Sequence, residues 1–278
     1  MAKPPVPGRR LAVIGCGAIG SLVAKLLEKK KSSFRVTAVF DTYLSNARAL
    51  SKSLKSRPVV CERITDVFSK CDLVLEAASV QAAFQAAKES LKRRKPIVLM
   101  STGGFFLNRR ELTRLAARFR TKIYLPSGAL CGLDGVKAAR QIGRVRELRI
   151  TSTKPPKGFM GAPGLTAEQK RNLYKSKKAF YLYKGNVEGA IMRFPANVNV
   201  AATTALASGQ PRKLQVHVMA DPKAKLNQHE IHMSGDFGIL TAVTRNVPSA
   251  QNPKTSALAI QSALALFERL ENYVEVGN

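Results

Sequence analysis

The sequence has few cysteines, and no two of them are close together. Its 278 residues include four, Cys16, Cys61, Cys71 and Cys131, and none belongs to a Cys-x-x-Cys pair. This spacing supports neither a structural zinc site nor a disulfide framework. We therefore expect free thiols in a reducing compartment and no bound metal ion.

Long apolar runs are also missing. A membrane-spanning helix needs about 20 predominantly apolar residues, and no stretch of the sequence approaches that length. Basic residues before the first apolar segment resemble the start of a signal peptide, but that segment runs directly into a glycine motif. Internal repeats and low-complexity tracts are absent. We expect a cytoplasmic protein with no membrane partner.

Acidic residues are scarce. Eighteen Asp and Glu stand against 46 Lys and Arg, which gives a net charge of +28. Such a charge favours association with polyanions and says nothing about the fold. The basic runs lie in residues 29–31, 92–95 and 109–122, and no recognised nucleic-acid module accompanies them. We interpret most of this charge as a solvated surface that binds polyanions unspecifically.

A glycine motif is the most informative feature that is present. Residues 11–20 have the sequence LAVIGCGAIG, an apolar run that opens into Gly15-x-Gly17-x-x-Gly20, followed by residues with helical apolar spacing. In a dinucleotide-binding turn the first glycine makes the tight turn, the second lets the backbone approach a pyrophosphate, and the third lets the helix pack on the strand. The positive end of the helix dipole then faces the phosphates. The motif predicts a strand, turn and helix that bind a dinucleotide.

An acidic residue follows at the distance that this interpretation requires. The second predicted strand, Phe34–Phe40, ends beside Asp41, about twenty residues beyond the glycines, where a carboxylate binds the ribose 2′-hydroxyl of NAD. Asp41 should repel the 2′-phosphate of NADP. The nearby basic residues Arg48 and Lys52 would attract that phosphate, so NADP stays an alternative cofactor. A further predicted strand, residues 71–76, delivers small residues to its carboxyl end, where ligands bind in such sheets; tight packing is the alternative. These small residues are Ala77, Ala78 and Ser79.

Strands and helices alternate up to residue 126 and predict an α/β fold with a Rossmann-type, doubly wound parallel sheet. Beyond that point, apolar and polar residues alternate with few long helices between them, which predicts an antiparallel sheet with one covered face. The alternating segments are residues 145–153, 179–183, 213–219 and 229–237. Two helices, residues 134–141 and 200–207, would cover the sheet, and residues 154–164 form a Pro- and Gly-rich loop.

The last segment, residues 255–273, has the spacing of a long amphipathic helix. We therefore predict three parts. Residues 1–125 form a dinucleotide-binding domain, residues 126–252 a catalytic and dimerisation α+β domain, and residues 253–278 a helix that packs on the first domain.

Seven short motifs, in this order, resemble the L-aspartate dehydrogenase family. They are Pro126-Ser-Gly-Ala-Leu-Cys-Gly-Leu-Asp134, Thr153-Lys-Pro-Pro156, Phe194-Pro-Ala-Asn-Val-Asn-Val-Ala-Ala-Thr203, Ala220-Asp-Pro222, Asn227-Gln-His-Glu-Ile231, Gly235-Asp-Phe-Gly238 and Asn252-Pro-Lys-Thr-Ser256. The resemblance covers nearly the whole chain. It departs from the family in its strongly basic surface and in the Gly-Gly-Phe-Phe of residues 103–106.

The resemblance implies an activity and an architecture. Family members oxidise L-aspartate with NAD or NADP to iminoaspartate, which becomes oxaloacetate and ammonia or feeds NAD biosynthesis. They combine a Rossmann domain with an antiparallel α/β domain, return the last helix to the first domain, and form homodimers.

It also implies roles for residues of this sequence. Gly15, Gly17, Ala18, Ile19 and Asp41 would hold the adenosine half of the cofactor; Ala77, Ala78 and Ser79 would line its groove; Ala129 would touch the nicotinamide end. Asn197 and Asn199, on a segment expected to be extended, would offer amides to the carboxamide or to the substrate, with turn or helix-cap roles as the alternative. The spacing to His229 favours Asn199. Lys154 and Lys254 are candidates for the substrate carboxylates, against surface lysines as the alternative.

One histidine is the candidate catalytic base. Removing hydride from the α-carbon of an amino acid leaves an iminium that a deprotonated water must attack, so a base titrating near neutrality is required. His217 and His232 lie within alternating strands, whereas His229 stands at a strand start inside the Asn-x-His-Glu-Ile motif. We predict His229 as the base and Asp221 as its candidate partner, because Glu230 faces the other way in a strand.

Two alternatives remain open. A dihydrodipicolinate-reductase-like or homoserine-dehydrogenase-like oxidoreductase shares this architecture but does not explain His229 and Lys254 in their motifs. A non-catalytic, cofactor-sensing nucleic-acid binder would show salt-dependent binding without turnover.

Overall fold

A computed structural model describes residues 9–195, 199–247, 256–274 and 276–277. The chain divides into two compact units. The first contains the described residues up to Pro126 together with the segment that begins at Ser262, and the second contains the described part of Ser127–Gln261 with residues 276–277. Among the described residues, no helix is both long enough and apolar enough to span a membrane.

The first unit is built on a six-stranded sheet in which every pairing is parallel. Its strands are β1 (Arg9–Ile14), β2 (Phe34–Phe40), β3 (Val59–Val60), β4 (Leu73–Glu76), β5 (Ile97–Leu99) and β6 (Ile123–Tyr124). They lie in the order β3-β2-β1-β4-β5-β6. The direction of this order reverses between β1 and β4, which is where Rossmann-type sheets bind dinucleotides. The predicted fold of this half is confirmed.

Helices pack against this sheet, and its central strands are buried, β4 throughout and β1 over its last four residues. The helices are α1 (Ala18–Lys29), α2 (Leu44–Ser53), α3 (Val80–Lys92), α4 (Thr102–Leu107) and α5 (Arg109–Arg118), with a 3₁₀ helix at Ile64–Lys70. The Ser-Thr-Gly-Gly sequence of residues 101–104 is typical of a turn, but the structure has α4 beginning at Thr102. A Cβ on Gly104 would collide with the Val80 carbonyl and lie 2.8 Å from Ala83 Cβ. Gly104 therefore lets α4 pack closely on α3.

The last helix, α10 (Ala257–Glu271), belongs to the first unit from Ser262 onward. The Phe267 ring packs edge-on against Phe34, with centroids 5.1 Å apart. At the helix end, a Glu271 carboxylate oxygen accepts hydrogen bonds from the hydroxyls of Ser32 and Ser33 at 2.6 and 2.7 Å. The helix returns to the first unit, as predicted.

The second unit contains a five-stranded mixed sheet. Its strands are β7 (Val145–Lys154), β8 (Phe180–Gly185), β9 (Gln215–Ala220), β10 (Asn227–Gly235) and β11 (Gly238–Asn246), in the order β11-β10-β7-β9-β8. The prediction of a wholly antiparallel sheet is wrong at one pair, because β7 and β9 run parallel. Parallel neighbours need a long crossover, and the chain between these strands is long enough to contain helices and β8.

The helices of this unit are α6 (Leu133–Ala139), α7 (Ala167–Lys175), α8 (Val187–Arg193) and α9 (Asn199–Ser208), with a 3₁₀ helix at Pro156–Phe159. Buried residues alternate with more exposed ones along β7 and β10, so one face of the sheet is covered, as predicted. The sequence interpretation missed α7, α8 and β11. A capping box between Thr166 and Gln169 marks the start of α7 and could have revealed it.

Candidate active site

Two turns of the first unit lie side by side at the carboxyl end of the parallel sheet. Gly15, directly after β1, has a positive φ of 91°, and a Cβ there would lie 2.6 Å from Ala78 N and 2.7 Å from Ala77 O. A Cβ on Gly20 would collide with the carbonyl of Gly15. Packing therefore requires the first and third glycines of the motif, and it brings the glycine turn against residues 77 and 78.

Gly17 is different from these two glycines. A Cβ there would meet no protein atom within 4 Å, and its backbone is extended, so nothing in the protein itself excludes a side chain. Gly17 caps α1, whose first residues are Ala18 and Ile19. The open space at this helix N-terminus fits the pyrophosphate of a dinucleotide, which needs close approach to backbone amides.

Asp41 holds the glycine turn in place. Its Oδ2 accepts a hydrogen bond from Cys16 N at 2.7 Å, and its Oδ1 accepts one from Tyr43 N at 2.8 Å. A carboxylate has about four lone-pair sites, so these bonds leave acceptor capacity for a ribose hydroxyl. Burial and the Asp41 charge raise the pKa of Cys16 to about 12, so the thiol in this turn stays protonated.

Glu76, which the sequence interpretation did not single out, anchors the second turn. This carboxyl group is fully buried at the end of β4 and accepts hydrogen bonds from Ala78 N and Ser101 Oγ, both at 2.8 Å. Burial raises its pKa above the ordinary value. Ser79 caps α3, because its Oγ accepts a hydrogen bond from Ala82 N at 3.1 Å. An acid at the end of an apolar strand was the available signal for Glu76.

A second group of polar residues lies on the covered face of the second sheet. His229 of β10 stands opposite Ser152 of β7, and His229 Nδ1 is 3.0 Å from Ser152 Oγ. The hydrogen-bond partner of His229 here is thus Ser152, whereas the carboxylate of Asp221, its predicted partner, accepts a hydrogen bond from Lys223 N at 2.9 Å. Ser152 was missed because only the register of β7 against β10 places it there.

Burial dominates the electrostatics of this group. His229 is 2% exposed and Lys154 is 3% exposed. Burial and, secondarily, the Lys154 charge lower the pKa of His229 to about 3, and burial lowers the pKa of Lys154 to about 8. The pKa of His229 in this structure therefore lies well below the near-neutral value expected from the sequence. The imidazole is neutral at neutral pH, so only one of its two ring nitrogens carries a proton.

Two buried asparagines face each other at one end of the β10–β11 pair. Asn227 is 1% exposed, and its Nδ2 is 3.4 Å from Ser256 Oγ. Asn246, opposite Asn227 on β11, donates from Nδ2 to the Ala129 carbonyl at 3.2 Å. The same carbonyl accepts a hydrogen bond from Thr244 Oγ1 at 2.8 Å. His229, Lys154 and Ala129 thus all lie in the second unit.

The remaining candidates have other positions. Asn199 is the first residue of α9, so the prediction that it lies on an extended segment is wrong; its carbonyl accepts a hydrogen bond from Thr203 Oγ1 at 2.9 Å. Asn197 and Lys254 lie outside the described residues.

The other two histidines have partners of their own: His232 Nδ1 is 3.2 Å from Thr241 Oγ1, and His217 packs edge-on against Tyr181. No cluster of His, Cys, Asp or Glu that could hold a metal ion occurs in the part of the chain that the structure describes.

Comparison with known proteins assigns both halves of the chain. Residues 15–126 match the family model for the NAD binding domain of homoserine dehydrogenase, and residues 134–270 match the model for the C-terminal part of aspartate dehydrogenase. L-aspartate dehydrogenases from Methanosarcina mazei and Methanocaldococcus jannaschii are 36% and 37% identical, each aligned over 96% of this chain and 99% of the relative.

A solved structure has a similar fold. The aspartate dehydrogenase of Thermotoga maritima is 25% identical with a TM-score of 0.76, covering 97% of this chain and 99% of that one. These matches confirm the resemblance inferred from the motifs, and with it a dehydrogenase whose cofactor is NAD. Matched along nearly its whole length by these relatives, the chain belongs to the L-aspartate dehydrogenase family.

Proposed function

We propose that this protein oxidises L-aspartate with NAD to iminoaspartate, which water converts to oxaloacetate and ammonia. The observation that carries this proposal is the buried group formed by His229, Ser152 and Lys154, within the half of the chain that matches aspartate dehydrogenase. The immediate product also suits delivery to NAD biosynthesis. The free cysteines suit the reducing cytoplasm, where we place the protein.

The residues divide the work as follows. The glycine turn and Asp41 would hold NAD, which when bound would supply the hydride acceptor for oxidation at the substrate α-carbon. Because Ser152 engages His229 Nδ1, the Nε2 atom is left to accept the proton of the attacking water. Lys154 supplies a buried positive charge for a substrate carboxylate. A carboxylate bound beside Lys154 would offset one cause of the low His229 pKa and raise that pKa toward neutrality.

Turnover by the purified protein tests this proposal directly. NADH formation from NAD should require L-aspartate, with D-aspartate, L-malate and L-homoserine as controls for substrate identity. Homoserine oxidation without aspartate oxidation would favour the homoserine-dehydrogenase alternative. Salt-dependent binding of nucleic acid by a protein that turns over none of these would favour the sensor alternative.

Cofactor preference should follow Asp41. Its carboxylate accepts hydrogen bonds from a ribose diol and repels a 2′-phosphate, so kcat/KM should favour NAD over NADP by about tenfold or more, about 1.4 kcal/mol. Asp41→Asn should narrow this preference, because the amide keeps the size and loses the charge. A tenfold preference of the unaltered enzyme for NADP would show that Arg48 or Lys52 controls the choice instead.

The second unit is the proposed dimer interface. The strand β11 lies at the edge of its sheet, and Ile239 on it is 76% exposed. Twofold dimers are the commonest assemblies, and exposed apolar residues suit them. Sedimentation at moderate salt, which screens charge repulsion, should give twice the chain mass of 30.2 kDa. A monomer at every concentration would contradict the dimer.

Unspecific polyanion binding is proposed for the basic surface of the first unit. Arg110, Arg114 and Arg118 are exposed and recur every four residues along α5, so they lie on one side of the helix. The acid of this helix, Glu111, pairs with Lys88 at 3.2 Å. Such an arginine row attracts phosphate backbones without reading sequence, and salt weakens the attraction.

A further inference from the structure

Asn227 carries a polar atom that the fold leaves unsatisfied. The side chain is 1% exposed, and its Oδ1 has no hydrogen-bond donor among the described residues. The amide nitrogen reaches Ser256 Oγ only at 3.4 Å, which is a long contact. Buried amide oxygens are almost always paired, and each exception calls for an explanation such as a ligand.

Strand register places this oxygen beside the catalytic candidates. Asn227 and His229 are two residues apart on β10, so their side chains lie on the same face. On β7, Ser152 stands opposite His229 and Thr153 stands opposite Gln228. Lys154 is the next residue of β7 and therefore lies level with Asn227. The unsatisfied oxygen belongs to the same buried group as Lys154, Ser152 and His229.

The chemistry of the group assigns different ends of a substrate to different residues. A lysine ammonium attracts carboxylates, whereas an amide oxygen is an acceptor and needs an N–H or O–H donor. L-aspartate has two carboxylates and one donor group, its α-amino group. That amino group is bonded to the carbon that loses hydride and that water later attacks, so it must lie near His229.

We propose that Asn227 Oδ1 accepts a hydrogen bond from the α-amino group of the substrate and so discriminates L-aspartate from dicarboxylates without an amine. This inference rests on the proposed function. It makes Asn227 a specificity-determining residue, because a site built to bind a donor rejects an analogue that lacks it.

Binding of L-aspartate and of succinate, the same dicarboxylate without the amine, tests the assignment. Calorimetry is done on the full-length protein saturated with NADH, so that no turnover occurs. Asn227→Leu removes the hydrogen-bond acceptor and keeps a side chain of similar size. It should weaken the binding of L-aspartate by about tenfold or more and change the affinity for succinate by less than about threefold. Asn227→Asp, which keeps acceptor oxygens, should bind L-aspartate better than Asn227→Leu does.

Asn246→Leu is the matched control, because Asn246 is a buried asparagine of the neighbouring strand whose amide already bonds the Ala129 carbonyl. Any effect of this change should be equal for the two ligands. Asn227→Ala, which also removes the acceptor, replaces Asn227→Leu if the leucine variant does not fold, and thermal unfolding shows whether it folds.

The inference would be overturned if Asn227→Leu lost affinity for both ligands to the same extent, or lost affinity for neither. Parallel losses would mean that the amide binds a carboxylate or only supports the fold. Failure of the unaltered enzyme to oxidise L-aspartate would instead overturn the proposed function, and the ratio of the two affinities would still decide whether Asn227 recognises an amine.

Discussion

Replacing His229 by alanine should lower the turnover of L-aspartate by about two to four orders of magnitude, the usual contribution of a positioned acid or base. The loss should appear in kcat, because the imidazole acts on the attacking water after the substrate is bound. NAD affinity should change little, since the glycine turn and Asp41 lie in the first unit. Steady-state kinetics with L-aspartate and a separate titration of NAD binding measure the two effects.

His232 provides the matched control for this experiment. It occupies the same strand three residues on, so its side chain lies on the opposite face, where it meets Thr241 and Glu147. His232→Ala should leave turnover within about threefold of the unaltered enzyme. Near-normal turnover in His229→Ala together with a large loss in His232→Ala would show that the catalytic base is His232 and not His229.

Replacing Gly17 by valine should weaken NAD binding by about a hundredfold, about 2.7 kcal/mol, without a comparable loss of stability. A Cβ at Gly17 meets no protein atom within 4 Å, so we expect the folded protein to accommodate a small side chain there. It would occupy the space through which the backbone approaches the pyrophosphate. NAD titration and thermal unfolding of the same preparation separate the two effects.

Gly15→Ala is the contrasting variant. Its positive φ and the 2.6 Å approach to Ala78 N predict a loss of stability of about 1–3 kcal/mol from backbone strain and collision. If Gly17→Val instead unfolded the protein and kept its NAD affinity, the open space beside Gly17 would not belong to the cofactor.

The elements of the first unit were predicted well, because the residues that identify each of them lie close together in the sequence. The strand Phe34–Phe40 was predicted with its observed bounds, since a short run rich in apolar and β-branched residues ends beside an acid there. In the second unit, apolar alternation predicted strands but not their neighbours or directions. The parallel pairing of β7 and β9 and the edge strand β11 depend on tertiary context.

The same limit applies to the site. His229 and Lys154 could be proposed from their motifs, whereas Ser152 and the unsatisfied oxygen of Asn227 depend on which residues face each other across two strands. Asn199 was misplaced by one residue, because the helix predicted for residues 200–207 begins at Asn199, and the exact ends of helices are poorly defined by sequence.

The alternation of faces along β10 also has a consequence for folding errors. A shift of one residue in its pairing would turn Gln228, Glu230 and His232 to the covered face and carry His229 to the open one. Such a misfolded chain would keep its strand content and lose its chemistry. The short turn of Asp236 and Phe237 between Gly235 and Gly238 sets this pairing at one end of the hairpin. The turn that fixes the pairing of β10 therefore also decides whether His229 faces the covered side. The correct hairpin and a working catalytic group form together when the chain folds.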